Sequence, residues 1–197
     1  LKQFDIVTGD KIAYWYDNSG EDRYVDGGGT LNNSCMAEVD TDYFDMYCNN
    51  PEVSLVILYG DDGQIKDNKY VSDEIKGRAL LWKAQIGGVG VEFMDRIYTS
   101  QDSDTELFKQ FAEKNGWWFK KRQSMEPGDD FTDGSSSKKG KIKVNLDDTD
   151  FEYYPYCDTI CYIDTNTGIA SNKYWDDSNR MLRDTGGSYE DSYDMAN

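Results

Sequence analysis

Four cysteines, several runs of neighbouring carboxylates and two arginines set in apolar segments are the residues of this chain best suited to chemistry. Cys157-Asp158-Thr159-Ile160-Cys161 spaces two thiols by three residues, and Cys35 and Cys48 complete the four ligands that a structural zinc site takes. Such sites usually pair tight Cys-x-x-Cys knuckles with turn glycines. These cysteines lie among aromatics instead, so the expectation is core packing and no bound metal. Cys35 as a nucleophile would need Lys, Arg or a helix N-terminus to lower its pKa, because the chain contains no His. A buried thiol is the simpler expectation. The same absence excludes a Ser-His-Asp or Cys-His pair within the chain, a His-ligated zinc and a two-His, one-carboxylate iron site. Asp61-Asp62-Gly63 and Asp147-Asp148-Thr149-Asp150 offer oxygen ligands, yet neither has the spaced carboxylates of an EF-hand loop, and both read as solvated turns. Arg78 and Arg96 are expected to pair with Asp95 or Glu92 in a structural network.

The elements that must position these residues are clearest in the middle of the chain. Val53–Tyr59, an apolar run rich in β-branched residues and closed by Gly60-Asp61-Asp62-Gly63, reads as a buried strand. Arg78–Trp82 and Val91–Tyr98 read as two more, around a Gly87-Gly88-Val89-Gly90 turn, and three antiparallel strands follow. Ser103-Asp104-Thr105-Glu106 matches a capping box, and Leu107, Phe108 and Phe111 fall at helical spacing up to Asn115-Gly116, which predicts a helix over about 104–115. Its apolar stripe is expected to cover strands containing Leu55, Ile57, Leu80 and Trp82. Trp117-Trp118-Phe119 begins another strand. Upstream, Asp40-Thr41-Asp42 is placed to cap a short helix carrying Tyr43, Phe44, Met46 and Tyr47, ended by Asn49-Asn50-Pro51. Downstream, Ile142, Val144 and Leu146 alternate as a strand should. The fold expected is α+β: a mainly antiparallel sheet packed against one or two helices, with a turn-rich C-terminal β region. Its divisions are a core over 1–122, a loop or linker over 123–140 that is rich in Gly, Ser and Asp, and an acidic, Tyr-rich hairpin region over 141–197.

Charge is distributed unevenly over this frame. The 197 residues carry 38 Asp and Glu against 21 Lys and Arg, a formal charge of -17. Residues 1–60 hold 11 acids and 3 bases (net -8), residues 61–122 hold 11 of each (net 0), and residues 123–197 hold 16 and 7 (net -9). Direct binding to nucleic acid is disfavoured, because a phosphate-binding face needs concentrated Lys and Arg. Aromatics, at 14% of the chain, argue for a folded protein rather than an acidic disordered one. No apolar run reaches membrane-spanning length and no signal peptide opens the chain, so the expectation is a soluble, intracellular protein with reduced thiols. The first residue is Leu1 rather than Met, as expected of a processed product or a piece of a longer protein.

Asn33-Ser34-Cys35-Met36, Gly77-Arg78-Ala79-Leu80-Leu81-Trp82, Met94-Asp95-Arg96-Ile97-Tyr98 and Tyr154-Pro155-Tyr156-Cys157-Asp158-Thr159 resemble successive blocks of a family of uncharacterised proteins common in bacteriophage genomes. Ala170-Ser171-Asn172 and Asp184-Thr185-Gly186-Gly187 resemble its C-terminal turns, so the similarity runs in order over most of the chain. It departs where Ala37 stands in place of an Arg. The resemblance implies a viral protein and brings no established activity.

The function expected is non-enzymatic. An acidic, aromatic-rich surface fits a protein partner with a basic surface, and a host nucleic-acid-acting or defence complex, inhibited in the host cytoplasm, is the partner class expected. The residues expected to carry it are Asp40, Asp42, Asp45, Asp147, Asp148 and Asp150, which steer encounter, and Tyr153, Tyr154 and Tyr156, which anchor it. Neither membrane nor cofactor is expected, and a homo-oligomer is compatible with the sequence. Two other classes compete: a virion structural component and an acetyltransferase-like enzyme. For the latter, the turn Gln101-Asp102-Ser103-Asp104 presents carboxylates where an anionic cofactor would sit.

Overall fold

The uncharged run that begins at Val53 becomes a strand buried on both faces, and a twelve-residue partner, Ile75–Ile86, lies antiparallel to it with Leu55 opposite Leu80. The computed structural model describes residues 3–18, 22–34, 36, 39–124, 128 and 130–182. In chain order the strands are β1 (Phe4–Val7), β2 (Val53–Tyr59), β3 (Gln64–Lys66), β4 (Lys69–Val71), β5 (Ile75–Ile86), β6 (Val89–Met94), β7 (Tyr98–Thr99), β8 (Trp118–Lys120), β9 (Asp130–Thr132), β10 (Ser137–Lys139), β11 (Ile142–Asn145), β12 (Tyr162–Asp164), β13 (Ile169–Ser171) and β14 (Arg180–Met181). The helices are α1 (Asp10–Tyr16), α2 (Asp45–Cys48) and α3 (Thr105–Lys114). The class is α+β, mostly sheet with few helices.

Strand β5 organises the sheet because it is long enough to hold two neighbours on each edge. On one edge β2 pairs with Ile75–Trp82 and β11 with Gln85 and Ile86. On the other, β7 pairs with Gly77 and Arg78, and β6 with Leu81–Ile86. Beyond β2 lies β1; beyond β11 lie β13, β12 and β14; beyond β6 lie β8, β9 and β10. The sheet is mixed, since β8 runs parallel to β6. The β5–β6 hairpin closes on two residues, Gly87 (φ 58°) and Gly88 (φ 80°), so the turn is tighter than the four-residue one expected. Both φ values are positive, which the twist of a two-residue hairpin demands and glycine supplies.

Each face of the sheet carries its own core. Helix α3 forms close to where the spacing places it, but it covers Val56, Leu58, Ala79 and Leu81 rather than Leu55, Ile57, Leu80 and Trp82. Strand side chains alternate, and helix periodicity alone does not say which parity meets a given helix. Phe108 and Ala112 are fully buried there, Phe111 is half-buried against Phe4, and Leu107 is 37% exposed. A Cβ on Gly77 would lie 2.5 Å from Phe108 Cε2, so glycine lets the ring sit directly on β5. The expected capping box does not form: a 3-10 turn, Asp102–Asp104, leads into α3, and neither Gln101 nor Asp104 makes a side-chain capping bond.

The opposite face, with Leu55, Ile57, Leu80 and Trp82, is covered by α1, α2 and the segments around β11–β13. Residues 123–140, expected as a loop or linker, contain the β9–β10 hairpin. Phe131 is its one fully buried side chain, and the Asp133 carboxylate accepts bonds from the Ser135 and Ser136 amides to close the turn. Three-residue strands with a single apolar anchor leave no alternation to read.

Candidate functional site

The first acidic segment is held by what lies beneath it. Residues Thr41–Phe44 form a 3-10 turn that runs into α2, and Phe44, Met46 and Tyr47 point into the core. Asp40 and Asp42 are exposed and Asp45 is partly exposed. Asp40 occupies the N-cap position but makes no capping bond, so the expected side-chain cap is absent and the carboxylate is left on the surface. The second segment follows β11, where Leu146 and Thr149 turn inward while Asp147, Asp148 and Asp150 stay exposed.

These segments meet. Asn50 is buried behind α2; its Nδ2 donates to the Asp148 carbonyl at 2.8 Å, and its Oδ1 accepts from the Asp148 amide at 2.8 Å. The Tyr43 and Tyr153 rings lie 4.9 Å apart, inclined by 32°. The result is one acidic face with an aromatic pair across the join, assembled from segments about a hundred residues apart in sequence. Asp45 is raised above the usual carboxylate range by burial and then by Asp42 and Asp10. Glu52 is raised by burial and by its hydrogen bond with Asp147. Glu152, more than any other group, raises Tyr153, and Asp42 adds to it. Carboxylates from three parts of the chain therefore feel one another across this surface.

The three tyrosines expected to anchor a partner have different fates. Tyr153 lies at the surface against Tyr43. Tyr154 is buried (3% exposed); its hydroxyl donates to the Thr149 carbonyl at 2.5 Å and accepts from the Phe151 amide at 3.2 Å, so it shapes the loop from within. It is not a surface anchor. Tyr156 is half-buried and lines a small cavity.

That cavity is where Arg78 and Arg96 meet, and neither pairs with Glu92 or through its side chain with Asp95. Arg78 is buried with its guanidinium 3.8 Å over the Tyr16 ring and 4.9 Å from that of Tyr98, and it donates to Ser34 Oγ at 2.9 Å. Arg96 donates to the Tyr98 hydroxyl at 3.1 Å and stands 4.0 Å from Asp158. Asp95 instead accepts from Trp82 Nε1 at 3.3 Å and from the Arg96 amide at 2.7 Å. The Tyr98 hydroxyl donates to Asp158 at 2.5 Å, while burial and the neighbouring Asp95 push Asp158 up to about 6. The space left is about 20 Å³, enough for one water-sized occupant and too small for a metabolite. Aromatic rings and hydrogen bonds hold Arg78, whereas Arg96 is held by its bond to Tyr98 and an ion pair with Asp158.

Cys157 and Cys161 are buried and Cys48 partly so; Cys35 lies outside the described residues. Burial holds the Cys157 thiol well above its ordinary pKa, and the Tyr47 hydroxyl lies 3.4 Å from its sulfur. Among the described residues no three Cys, Asp or Glu side chains converge as metal ligands. Asp61 is engaged by Lys76 at 2.8 Å and Gln3 at 3.0 Å, and Asp62 accepts from Ser72 at 3.0 Å, the contacts of a surface turn. Within the described residues no helix is long and apolar enough to cross a membrane.

Helix α1 and the groove beside it went unread in the sequence. The groove, of about 460 Å³, is lined by Asp5, Asp10, Lys11, Tyr14, Trp15 and Tyr59, together with Val7. Its signal was present: Ile12, Trp15 and Tyr16 are buried at helical spacing, and Asp10 stands in the first turn. No protein-family model, curated protein or solved structure matches the chain.

Proposed function

We propose that this chain is a non-enzymatic, phage-type acidic protein that occupies the basic surface of a protein partner, inhibiting a host nucleic-acid-acting or defence complex in the host cytoplasm. The observation that carries the reading is the union of the segments around Asp42 and Asp148 into one face through Asn50 and the Tyr43–Tyr153 pair. A concentrated negative field accelerates encounter with a positive surface, and an aromatic pair across the join offers contact area at small entropic cost. A mainly antiparallel sheet with a turn-rich C-terminal region serves, in this proposal, as the rigid support. The resemblance to phage proteins supplies the setting, and the charge of -17 is the physical ground for the kind of partner.

The test begins with affinity purification from infected cells and identification of the partner by mass spectrometry. Rapid-mixing kinetics on the purified pair should then show association slowing steeply with salt, and slowing equally when Asp147, Asp148 and Asp150 are changed to Asn, with dissociation altered less. Association indifferent to salt and to those changes would leave solubility as the role of the charge. Co-sedimentation with virions would favour a structural component, and a cofactor recovered with the protein would favour an enzyme.

A further inference from the structure

The acidic face continues around α1 into the aromatic groove, and we propose that this groove takes an arginine side chain of the basic partner. This rests on reading the face as a docking surface. Tyr14 and Trp15 meet edge to face with centroids 4.9 Å apart and planes at 88°, and Trp15 and Tyr59 meet at 6.0 Å and 74°. Three rings at steep angles thus wall one recess, with Tyr14 43% exposed at its lip and Trp15 and Tyr59 largely buried behind it. The faces of such rings carry negative potential and attract a planar cation.

The chain already shows this contact once. Arg23 lies 3.8 Å over the Tyr14 ring, and Tyr14 divides the groove from a second recess of about 370 Å³ that Arg23 lines together with Asp10, Asp17 and Asp45. Arg23 lines the second recess and not the first, so among the described residues no arginine lines the groove itself.

Charge at the groove follows the same logic. Asp5 is already engaged, accepting from Lys69 at 2.7 Å and from the Tyr59 hydroxyl at 3.0 Å. Asp10 is exposed, borders both recesses and makes no ion pair or hydrogen bond with a described residue. It is the carboxylate positioned to receive the incoming cation. Lys11 also lines the groove, but its long stem allows the ammonium to remain in solvent. Asp10 acts on Asp45 electrostatically, so groove and face share one field.

A hexa-arginine peptide is the probe, with binding measured by calorimetry and its position by the Trp15 indole resonance. Asp10→Asn alters an exposed side chain and should leave the melting temperature nearly unchanged. Tyr14→Ala also removes the ring beneath Arg23 and beside Trp15, so its binding is read only after circular dichroism shows the native fold. Each should weaken binding about threefold to tenfold, and the wild-type indole signal should shift on titration. A hexaglutamate peptide should not bind. If the Asp147, Asp148 and Asp150 changes weaken binding while Tyr14→Ala and Asp10→Asn do not, the groove is overturned and the acidic face stands. The reverse pattern overturns the face and keeps the groove. Indifference to both sets overturns both.

Discussion

Asn50 and Asp148, 98 residues apart in the chain, exchange two hydrogen bonds of 2.8 Å in which the Asn side chain reads the Asp backbone as a neighbouring strand would. Asn50 Nδ2 also donates to the Met46 carbonyl at 2.8 Å, so one buried amide ties α2 to the loop after β11.

Removing that amide tests how the face is built. Asn50→Ala strands the Asp148 amide and two carbonyls, and should cost about 2–4 kcal/mol. Amide exchange at Asp148 should quicken more than exchange in β5. Unchanged protection at Asp148 would mean that the face is held by other contacts.

Helix α3 gives a graded series. Phe108→Ala should cost about 3–5 kcal/mol, Phe111→Ala clearly less because that ring is only half-buried, and Leu107→Ala within about 0.5 kcal/mol. Gly77→Ala should also destabilise, because its Cβ would meet Phe108 at 2.5 Å. Chemical denaturation of the four variants checks the order, and a costly Leu107→Ala would contradict the packing described.

Asp158 makes stability depend on pH in a defined direction. Its carboxyl is raised from the usual 3.8 to about 6 in the folded chain, so the folded state holds the proton more tightly than the unfolded one. Stability from this group is therefore full below about pH 4, falls as pH rises towards 6, and is flat above, a loss of up to about 3 kcal/mol. Asp158→Asn, which still accepts from Tyr98, should remove this part of the fall. Denaturation midpoints at pH 5 and 7.5 for both proteins measure it, and identical pH slopes would show that Asp158 titrates normally.

Asp45 and Glu52 are raised as well, so they lose charge at a higher pH than ordinary surface carboxylates. Association with hexa-arginine should weaken as pH falls, beginning at a higher pH than for an acidic surface of normal carboxylates. Asp45→Asn with Glu52→Gln should flatten that early part of the profile. A profile unaltered by both changes would place the titrating groups elsewhere.

Much of the scaffold was legible because burial on both faces writes itself into an unbroken apolar run and burial on one face into alternation. Val53–Tyr59 coincides with β2, and the buried Ile142 and Val144 mark β11. The face that α3 covers was not legible: Leu55 and Val56 are equally apolar, and only the three-dimensional path of the connection chooses between them. The arginines misled for another reason. Acidic neighbours in sequence, Asp95 and Glu92, suggested ion pairs, whereas Tyr16, Tyr24 and Tyr98 reach Arg78 from separate elements. Acidic segments could be listed from the sequence, but their union depends on Asn50, an unremarkable residue before a proline.

The length of β5 also bears on the order in which the molecule comes together. β2, β5 and β6 form a meander from neighbouring stretches of chain, so their pairings close short loops, whereas β1 and β11 arrive from far in sequence on either side. The second of these arrivals, that of β11, is needed before Asn50, between α2 and β2, can find Asp148. The acidic face is thus a late product of folding, and a half-folded chain would own its framework while lacking that surface.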